Sequence, residues 1–277
     1  MSLSPLYITF GQHQVVIETV VLEVHTTVKQ WFYAMLEPQP SVIVRKVTIS
    51  QSEGNYIIQS GEKMHETIRE KMCLLQAVKY EVIMALINSR LDLLWFHAGA
   101  VANDTEAVVF AAPGGGGKST LIAHLCQQGW RYLSDDVVPL ELSTRNILPF
   151  PQTPRVRQNT GKLVPSDRLW EVPKRDVTLG LGLICRSPLP IRALVFPSFD
   201  QQTSAQLSPC TPGFAALELL HNCINFTDHK QIALQQICEI VKHLPAFKLK
   251  FSNIECALKC IAQIQSFKNH LAGKKLD

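Results

Sequence analysis

The run Pro113-Gly114-Gly115-Gly116-Gly117-Lys118-Ser119-Thr120 constrains this chain more than any other segment. It follows the apolar, β-branched stretch Ala107-Val108-Val109-Phe110 and precedes Leu121-Ile122-Ala123-His124-Leu125, so the order reads strand, glycine loop, helix. Successive glycines remove side chains where a backbone must close around an anion. A helix that begins directly afterwards offers its unpaired N–H groups to the same anion. Lys118 adds a positive charge there. The pattern is that of a phosphate-binding P-loop: Gly117-Lys118-Ser119 matches it strictly, while Ala112 stands where a first glycine is usual. A flexible glycine linker is not expected between a β-branched strand and an amphipathic helix. Pro113 to Thr120 are therefore the candidate nucleotide-binding residues.

Two adjacent acids, Asp135 and Asp136, follow Lys118 by only 17 and 18 residues, inside an apolar stretch from Trp130 to Leu140 that reads as one strand. Successive strand positions face opposite sides, so at most one acid should face a bound nucleotide unless the strand twists or ends there. The bland alternative, one acid capping a turn and the other in solvent, is disfavoured because carboxylates are poor strand formers. Leu93 to Ala102 reads as another strand and places His97 beside the loop, where the alternative is a histidine buried in the core.

With 277 residues the chain has room for one large domain or two modest ones. Its net charge is +4, and the basic residues are scattered apart from Lys268, Lys274 and Lys275, a weak case for nucleic acid that a solvated, slightly basic tail explains as well, so no nucleic-acid partner is expected. No apolar run reaches the roughly 18–20 residues of a membrane span, and Met1 to Phe10 lack the order of a signal peptide. The expectation is a cytoplasmic protein with no membrane partner. The eight cysteines include no Cys-x-x-Cys pair, so they are expected to be reduced, mostly buried thiols that hold no metal.

Leu6 to Ile17 reads as a hairpin turning at Gly11, Thr26 to Leu36 as a helix, and Val42 to Ile49 with Tyr56 to Ile58 as a second hairpin. A long helix is expected from about Met64 to Asn88. Residues 1–90 then form an α+β region without recognisable chemistry, and residues 91–277 form the P-loop domain. The loop's helix should stop at Gly129. Leu148 to Pro190 holds seven prolines together with Arg155, Arg157, Lys162, Arg168, Lys174 and Arg175, and reads as an irregular binding loop or lid. Arg155 and Arg157 could reach phosphates or an acidic acceptor from it, although a solvated basic loop explains them equally. Beyond it come a strand at Ile191–Phe196, a helix opened by Thr211-Pro212, and a helix from Asp228 to about His243. A strand at Phe247–Phe251 leads to a last helix with a capping box at Ser252 and Glu255. His243 and His270 read as surface residues.

Phe96-His97-Ala98-Gly99, the loop, and Gln128-Gly129-Trp130-Arg131-Tyr132-Leu133-Ser134-Asp135-Asp136 together resemble the bacterial HPr kinase/phosphorylase family, whose kinase fold is related to phosphoenolpyruvate carboxykinase. The likeness covers about 40 of 277 residues. It is nearest to HPr-kinase-like proteins associated with peptide modification and free-serine phosphorylation. The resemblance implies an α/β fold: a phosphoenolpyruvate carboxykinase-like P-loop kinase core with a mixed sheet, preceded by the small α+β N-terminal region. It implies ATP and Mg²⁺ as cofactors and transfer of the γ-phosphoryl group to a hydroxyl, the serine of a peptide, protein or free amino acid. Lys118 would hold the phosphates, Ser119 and Asp136 would serve Mg²⁺, Asp135 would be the base, and His97 would neighbour and tune it. Where the family has a Glu-Ile-Arg-Gly-Leu-Gly type of signature, this chain has Val177-Thr178-Leu179-Gly180-Leu181-Gly182, without the Glu or the Arg. Phosphorylase activity, and HPr itself as substrate, are therefore not implied. An ATP-binding regulatory or assembly protein and a P-loop hydrolase remain the alternatives, and self-association as a homo-oligomer is compatible with each.

Overall fold

The computed structural model describes residues 3–36, 41–61, 63–103, 105–158 and 172–266. The chain divides into two units, Met1–Leu91 with Pro151–Thr153, and Asp92–Phe150 with Pro154–Asp277.

In the first unit β1 (Leu6–Phe10) and β2 (His13–Thr19) form a hairpin around Gly11, whose φ of 59° suits glycine. Helix α1 (Leu22–Trp31) crosses to β3 (Val42–Ser52), which lies parallel to β2. Antiparallel β4 (Asn55–Ser60) and β5 (Lys63–Ile68) complete a five-stranded sheet in the order β1-β2-β3-β4-β5. Helix α2 (Lys71–Ser89) lays Leu74, Val78, Val82 and Leu86, one residue per turn and all inaccessible to solvent, on this sheet. Among the described residues α2 is long and apolar enough to cross a membrane by length and composition alone; here that apolar stripe is packed.

Two helices depart from the sequence reading. The long helix expected from Met64 begins only at Lys71, and Lys63–Ile68 is a strand, because the edge of β4 offers these residues backbone partners on one side. The helix expected at Thr26–Leu36 is α1, ending at Trp31 before a short 3₁₀ turn at Tyr33–Met35. Its N-terminus carries no side-chain cap, so nothing local marks where it starts. Pro151–Thr153 joins this unit through Thr153, whose N–H donates to the Trp31 carbonyl at 2.8 Å and whose Oγ1 donates to the Gln30 carbonyl at 2.6 Å.

The second unit is a mixed α/β fold. Its strands are β6 (Leu93–Phe96), β7 (Ala98–Ala102), β8 (Ala107–Ala111), β9 (Arg131–Ser134), β10 (Val138–Glu141), β11 (Asn146–Ile147), β14 (Leu189–Phe199), β15 (Gln206–Pro209) and β16 (Ala246–Phe251), with a separate small hairpin of β12 (Arg155–Arg157) and β13 (Lys174–Asp176). The main sheet runs β6-β10-β11-β14-β8-β7-β9, and β16 pairs with both β14 and β15. Strand β14 is parallel to β8 and to β16; the remaining pairs are antiparallel. Because β14 starts against β11 and finishes against β16, the sheet curls about it.

Helices α4 (Pro212–His221) and α5 (Phe226–His243) bury Ala215, Leu219, Ala233, Ile237 and Ile240 against Ala98, Ala100, Val109 and Leu194 on one face. Helices α3 (Lys118–Gln127) and α6 (Ile254–Ser266) lie on the other. Covering on both faces explains why β8 is apolar at every position rather than alternating. Thr211 caps α4 through the Phe214 N–H at 3.3 Å, as its sequence announces. The last helix is capped by Asn253, whose Oδ1 accepts the Cys256 N–H at 3.1 Å, and not by the expected Ser252–Glu255 box. The short Asn side chain reaches the exposed N–H groups one position later than Ser252 could. All eight cysteines are free, but only Cys126 and Cys185 are fully buried, fewer than expected. Lys162 and Arg168, and with them the centre of the Leu148–Pro190 stretch, lie outside the described residues, as do Asp104, Lys268, His270, Lys274 and Lys275.

Candidate functional site

Strand β8 delivers the glycine loop at its C-terminal end, and α3 begins at Lys118. Of the four glycines, Gly115 and Gly117 adopt positive φ, 95° and 87°. Gly117 is the N-cap of α3 in left-handed conformation, and a Cβ there would lie 2.6 Å from Phe251 Cζ, so both backbone and space require glycine. The first N–H groups of α3 face the loop without intrahelical carbonyl partners. The helix runs to Gln127 and closes at Gly129, φ 93°, as read from the sequence.

Both strands expected to pass the loop are broken, and the breaks carry the polar residues. The stretch Trp130–Leu140 is two strands, β9 and β10, separated by a bend at Asp135 and Asp136. Asp136 has φ 68°, a left-handed conformation that Asp tolerates better than most residues but that still costs about 1 kcal/mol. Buried Ser134 holds this bend: its Oγ lies against the carbonyls of Val137 and, at 2.9 Å, Phe150. The acids therefore escape the strict alternation of a strand. Asp135 is 2% exposed and accepts a hydrogen bond from Ser119 Oγ at 3.1 Å. Likewise Leu93–Ala102 is not one strand but β6 and β7, with His97 in the gap. Gly99 on β7 permits α3 to sit close, since a Cβ there would fall 2.0 Å from Ile122 Cδ1 and 3.4 Å from Asp135 Oδ1.

His97 links the two breaks to the loop. Its Nδ1 is 3.0 Å from the Asp136 carbonyl and its Nε2 is 3.2 Å from Lys118 Nζ. An ammonium only donates and a carbonyl only accepts, so this imidazole is neutral, protonated on Nδ1 and accepting on Nε2. Burial and the Lys118 charge both hold His97 below the usual imidazole range, in keeping with that state. Lys118, 6% exposed, also donates to the carbonyls of Ala112 and, at 3.3 Å, Pro113. Burial lowers its pKa, the charges of Asp135 and Asp136 pull it back up, and those of Arg157 and Lys174 lower it again. Cys126, behind Asp135, is pushed up to about 12 by burial and the carboxylate charge, so its thiol is inert.

The two candidate arginines have different surroundings. Arg155 Nε meets Asp176 Oδ1 at 3.1 Å across the β12–β13 hairpin, with both side chains largely buried. Arg157 stands opposite Lys174 in the same hairpin, which lies beside α3, and both cations act on Lys118. Thus Lys118, Ser119, Asp135, Asp136 and His97 come together, Arg157 reaches their surroundings, and Arg155 is committed to Asp176.

Mg²⁺ takes hard oxygen ligands and keeps several from water and phosphate. Ser119 Oγ and Asp135 Oδ1 are such donors on one spot. Among the described residues no group of three or more His, Cys, Asp or Glu side chains is placed to hold a metal by itself.

Several supporting residues carry no local signal. The segment Asn222–Asn225 between α4 and α5 runs along the free edge of β6: Asn222 O accepts the His97 N–H at 2.7 Å, and Ile224 N–H donates to Trp95 O at 2.7 Å. The buried Asn225 amide imitates a strand residue, accepting from Trp95 N–H and donating to Leu93 O, both at 3.0 Å. Asn225→Ala should release this anchor. In ¹⁵N spectra the native His97 ring should show a single Nδ1–H tautomer and the variant a mixture, with a loss of about 1–3 kcal/mol in stability. An unchanged ring spectrum would mean that the α4–α5 corner does not hold His97.

No family model matches this sequence, and no curated protein matches it either. Among solved structures the Hpr(Ser) kinase/phosphatase from Coxiella burnetii is similar at 13% identity over 64% of this chain and 90% of that one, with a TM-score of 0.32.

Proposed function

We propose that the second unit is a phosphoenolpyruvate carboxykinase-like P-loop kinase core that transfers the γ-phosphoryl group of ATP to a hydroxyl, the serine of a peptide, protein or free amino acid. The observation that carries this is the convergence of Ser119, Asp135, Lys118, His97 and Asp136 at one loop, through the hydrogen bonds Ser119–Asp135, Lys118–His97 and His97–Asp136. A P-loop alone would serve any nucleotide-binding role. Phosphoryl transfer asks in addition for charge neutralisation at the transferring group and a base beside it, and these residues supply both. The sequence resemblance, running from His97 through the loop to Asp136, favours the same reading.

Bound Mg²⁺–ATP would supply the phosphoryl group and neutralise its oxygens. The loop N–H groups and Lys118 would bind the phosphates, and Ser119 with Asp135 would hold the metal. Asp136 takes the acceptor's proton as the hydroxyl oxygen bonds to the γ-phosphorus and the bond to the β-phosphate oxygen breaks. This exchanges the roles that the family resemblance implied for the two acids, because Asp135 is the one on the Ser119 hydroxyl. Neutral His97 is a positioning group: it fixes Lys118 on one side and the Asp136 backbone on the other. In this reading Arg157 would bind an acceptor's carboxylate or acidic neighbours. Arg157→Ala should then raise the acceptor KM about tenfold without changing ATP affinity measured in the acceptor's absence, whereas Arg155→Ala should cost about 1–3 kcal/mol of stability by stranding Asp176. Equal loss of ATP affinity in both variants would put the hairpin in the nucleotide site.

The direct test incubates the protein with ATP, Mg²⁺ and either free serine or a serine-bearing peptide, and follows ADP and phosphoserine together. Phosphoserine in step with ADP is expected. ADP alone would make the protein a hydrolase, and tight ATP binding without turnover a regulatory or assembly protein. A kinase with eight free thiols belongs in the ATP-rich, reducing cytoplasm.

A further inference from the structure

The sheet order gives the phosphate loop two unlike sides. On one lie β7 and β9, which bring His97, Asp135 and Asp136. On the other lie β14 and β16, both parallel to β8 in register, so that they end at the same edge of the sheet as the loop begins. With the terminal phosphate at the acids on the first side, the second side is open to the rest of a nucleotide. There the last residues of the two strands are register partners and both aromatic, Phe199 and Phe251.

Phe251 is 2% exposed and fills the space beside Gly117, where a Cβ would meet its ring at 2.6 Å. Phe199 stands edge-on to it, with ring centroids 5.6 Å apart at 74°, yet is 47% exposed. Single exposed apolar residues are common. What distinguishes Phe199 is its place, one ring removed from the phosphate loop, and its rigidity. The following turn is fixed by Asp200, whose N–H donates to Phe251 O at 2.9 Å and whose carboxylate accepts from Gln202 N–H at 3.0 Å and Thr203 Oγ1 at 2.7 Å. An aromatic face held from both sides and half open to solvent costs little further ordering when a flat ligand covers it.

We propose that Phe199, backed by Phe251, is the shelf on which the purine base of the nucleotide stacks. The proposal rests on the ATP reading above and extends it to the end of the ligand remote from the chemistry. Calorimetric titration with Mg²⁺–ATP and with Mg²⁺–tripolyphosphate, which has the phosphates and no base, tests it. Phe199→Ala should weaken ATP roughly 10- to 100-fold, the range expected for losing one base–aromatic stack, and leave tripolyphosphate unchanged. Phe199→Trp should keep ATP affinity, and its added emission should be quenched by ATP and not by tripolyphosphate. Wild-type ATP affinity in Phe199→Ala, or equal losses for both ligands, would overturn the shelf. Native protein that binds tripolyphosphate as tightly as ATP would overturn the shelf and leave the phosphate loop standing; native protein that binds neither would overturn both.

Discussion

Lys118→Met should reduce phosphoryl transfer roughly 10²- to 10³-fold, the usual effect of removing one preorganised charge at the transferring group. Methionine is the informative replacement. The lysine is 6% exposed, so alanine would leave a cavity as well as removing the charge, whereas methionine keeps most of the stem's volume. The native ammonium is buried and held to Ala112 O, Pro113 O and His97 Nε2, with a pKa lowered first of all by that burial. Methionine also leaves those three acceptors without their donor and the buried Asp135 carboxylate without its neighbouring cation, so a stability loss of about 1–3 kcal/mol is expected. A thermal melt therefore separates chemistry from folding: lost turnover in a variant whose midpoint is lowered but still above the assay temperature is expected, and native turnover would take the glycine loop out of the mechanism.

Asp135→Asn and Asp136→Asn should fail differently. Asp135 accepts the Ser119 hydroxyl and is buried, so its amide would keep the hydrogen bond while losing the negative charge that attracts Mg²⁺. Its variant should need roughly tenfold more Mg²⁺ or greater for half-maximal rate, with turnover partly restored at saturation. Asp136 presents its carbonyl to His97 from a left-handed backbone, a conformation asparagine also tolerates, so Asn should preserve the bend. Without a base, transfer should fall about 10²- to 10⁴-fold at every Mg²⁺ concentration while ATP affinity persists. Metal titration of the two variants decides the assignment. The reverse pattern would return the acids to the roles that the family resemblance implies, and unaltered activity in both would remove them from the reaction.

By itself the sequence determined the features whose causes lie within a few residues of one another. The β-branched run into glycines and Lys118 specifies strand, loop and helix, Gly129 stops that helix, and Thr211-Pro212 starts another. The spacing from Lys118 to the acids is short enough that one helix returns the chain to the same edge of the sheet. Lys118, Ser119, His97, Asp135 and Asp136 could thus be named as one set from their order together with the family resemblance. How they meet was decided by tertiary structure. The apolar stretches around His97 and the acids read as continuous strands because hydrophobic pattern reports burial and not pairing. They break because β6 and β7 take different partners, β10 on one side and β8 with β9 on the other. That change of partner frees Asp135 and Asp136 from alternation and puts Asp135 on Ser119. The same cause turned Lys63–Ile68 from expected helix to strand, since the edge of β4 is invisible to a local reading. Asn225 reaches Trp95 across 130 residues, and Phe199 meets Phe251 only because β14 and β16 lie side by side. Local propensity fixes which segments can bind an anion; the long-range pairing of strands fixes which side chains face it.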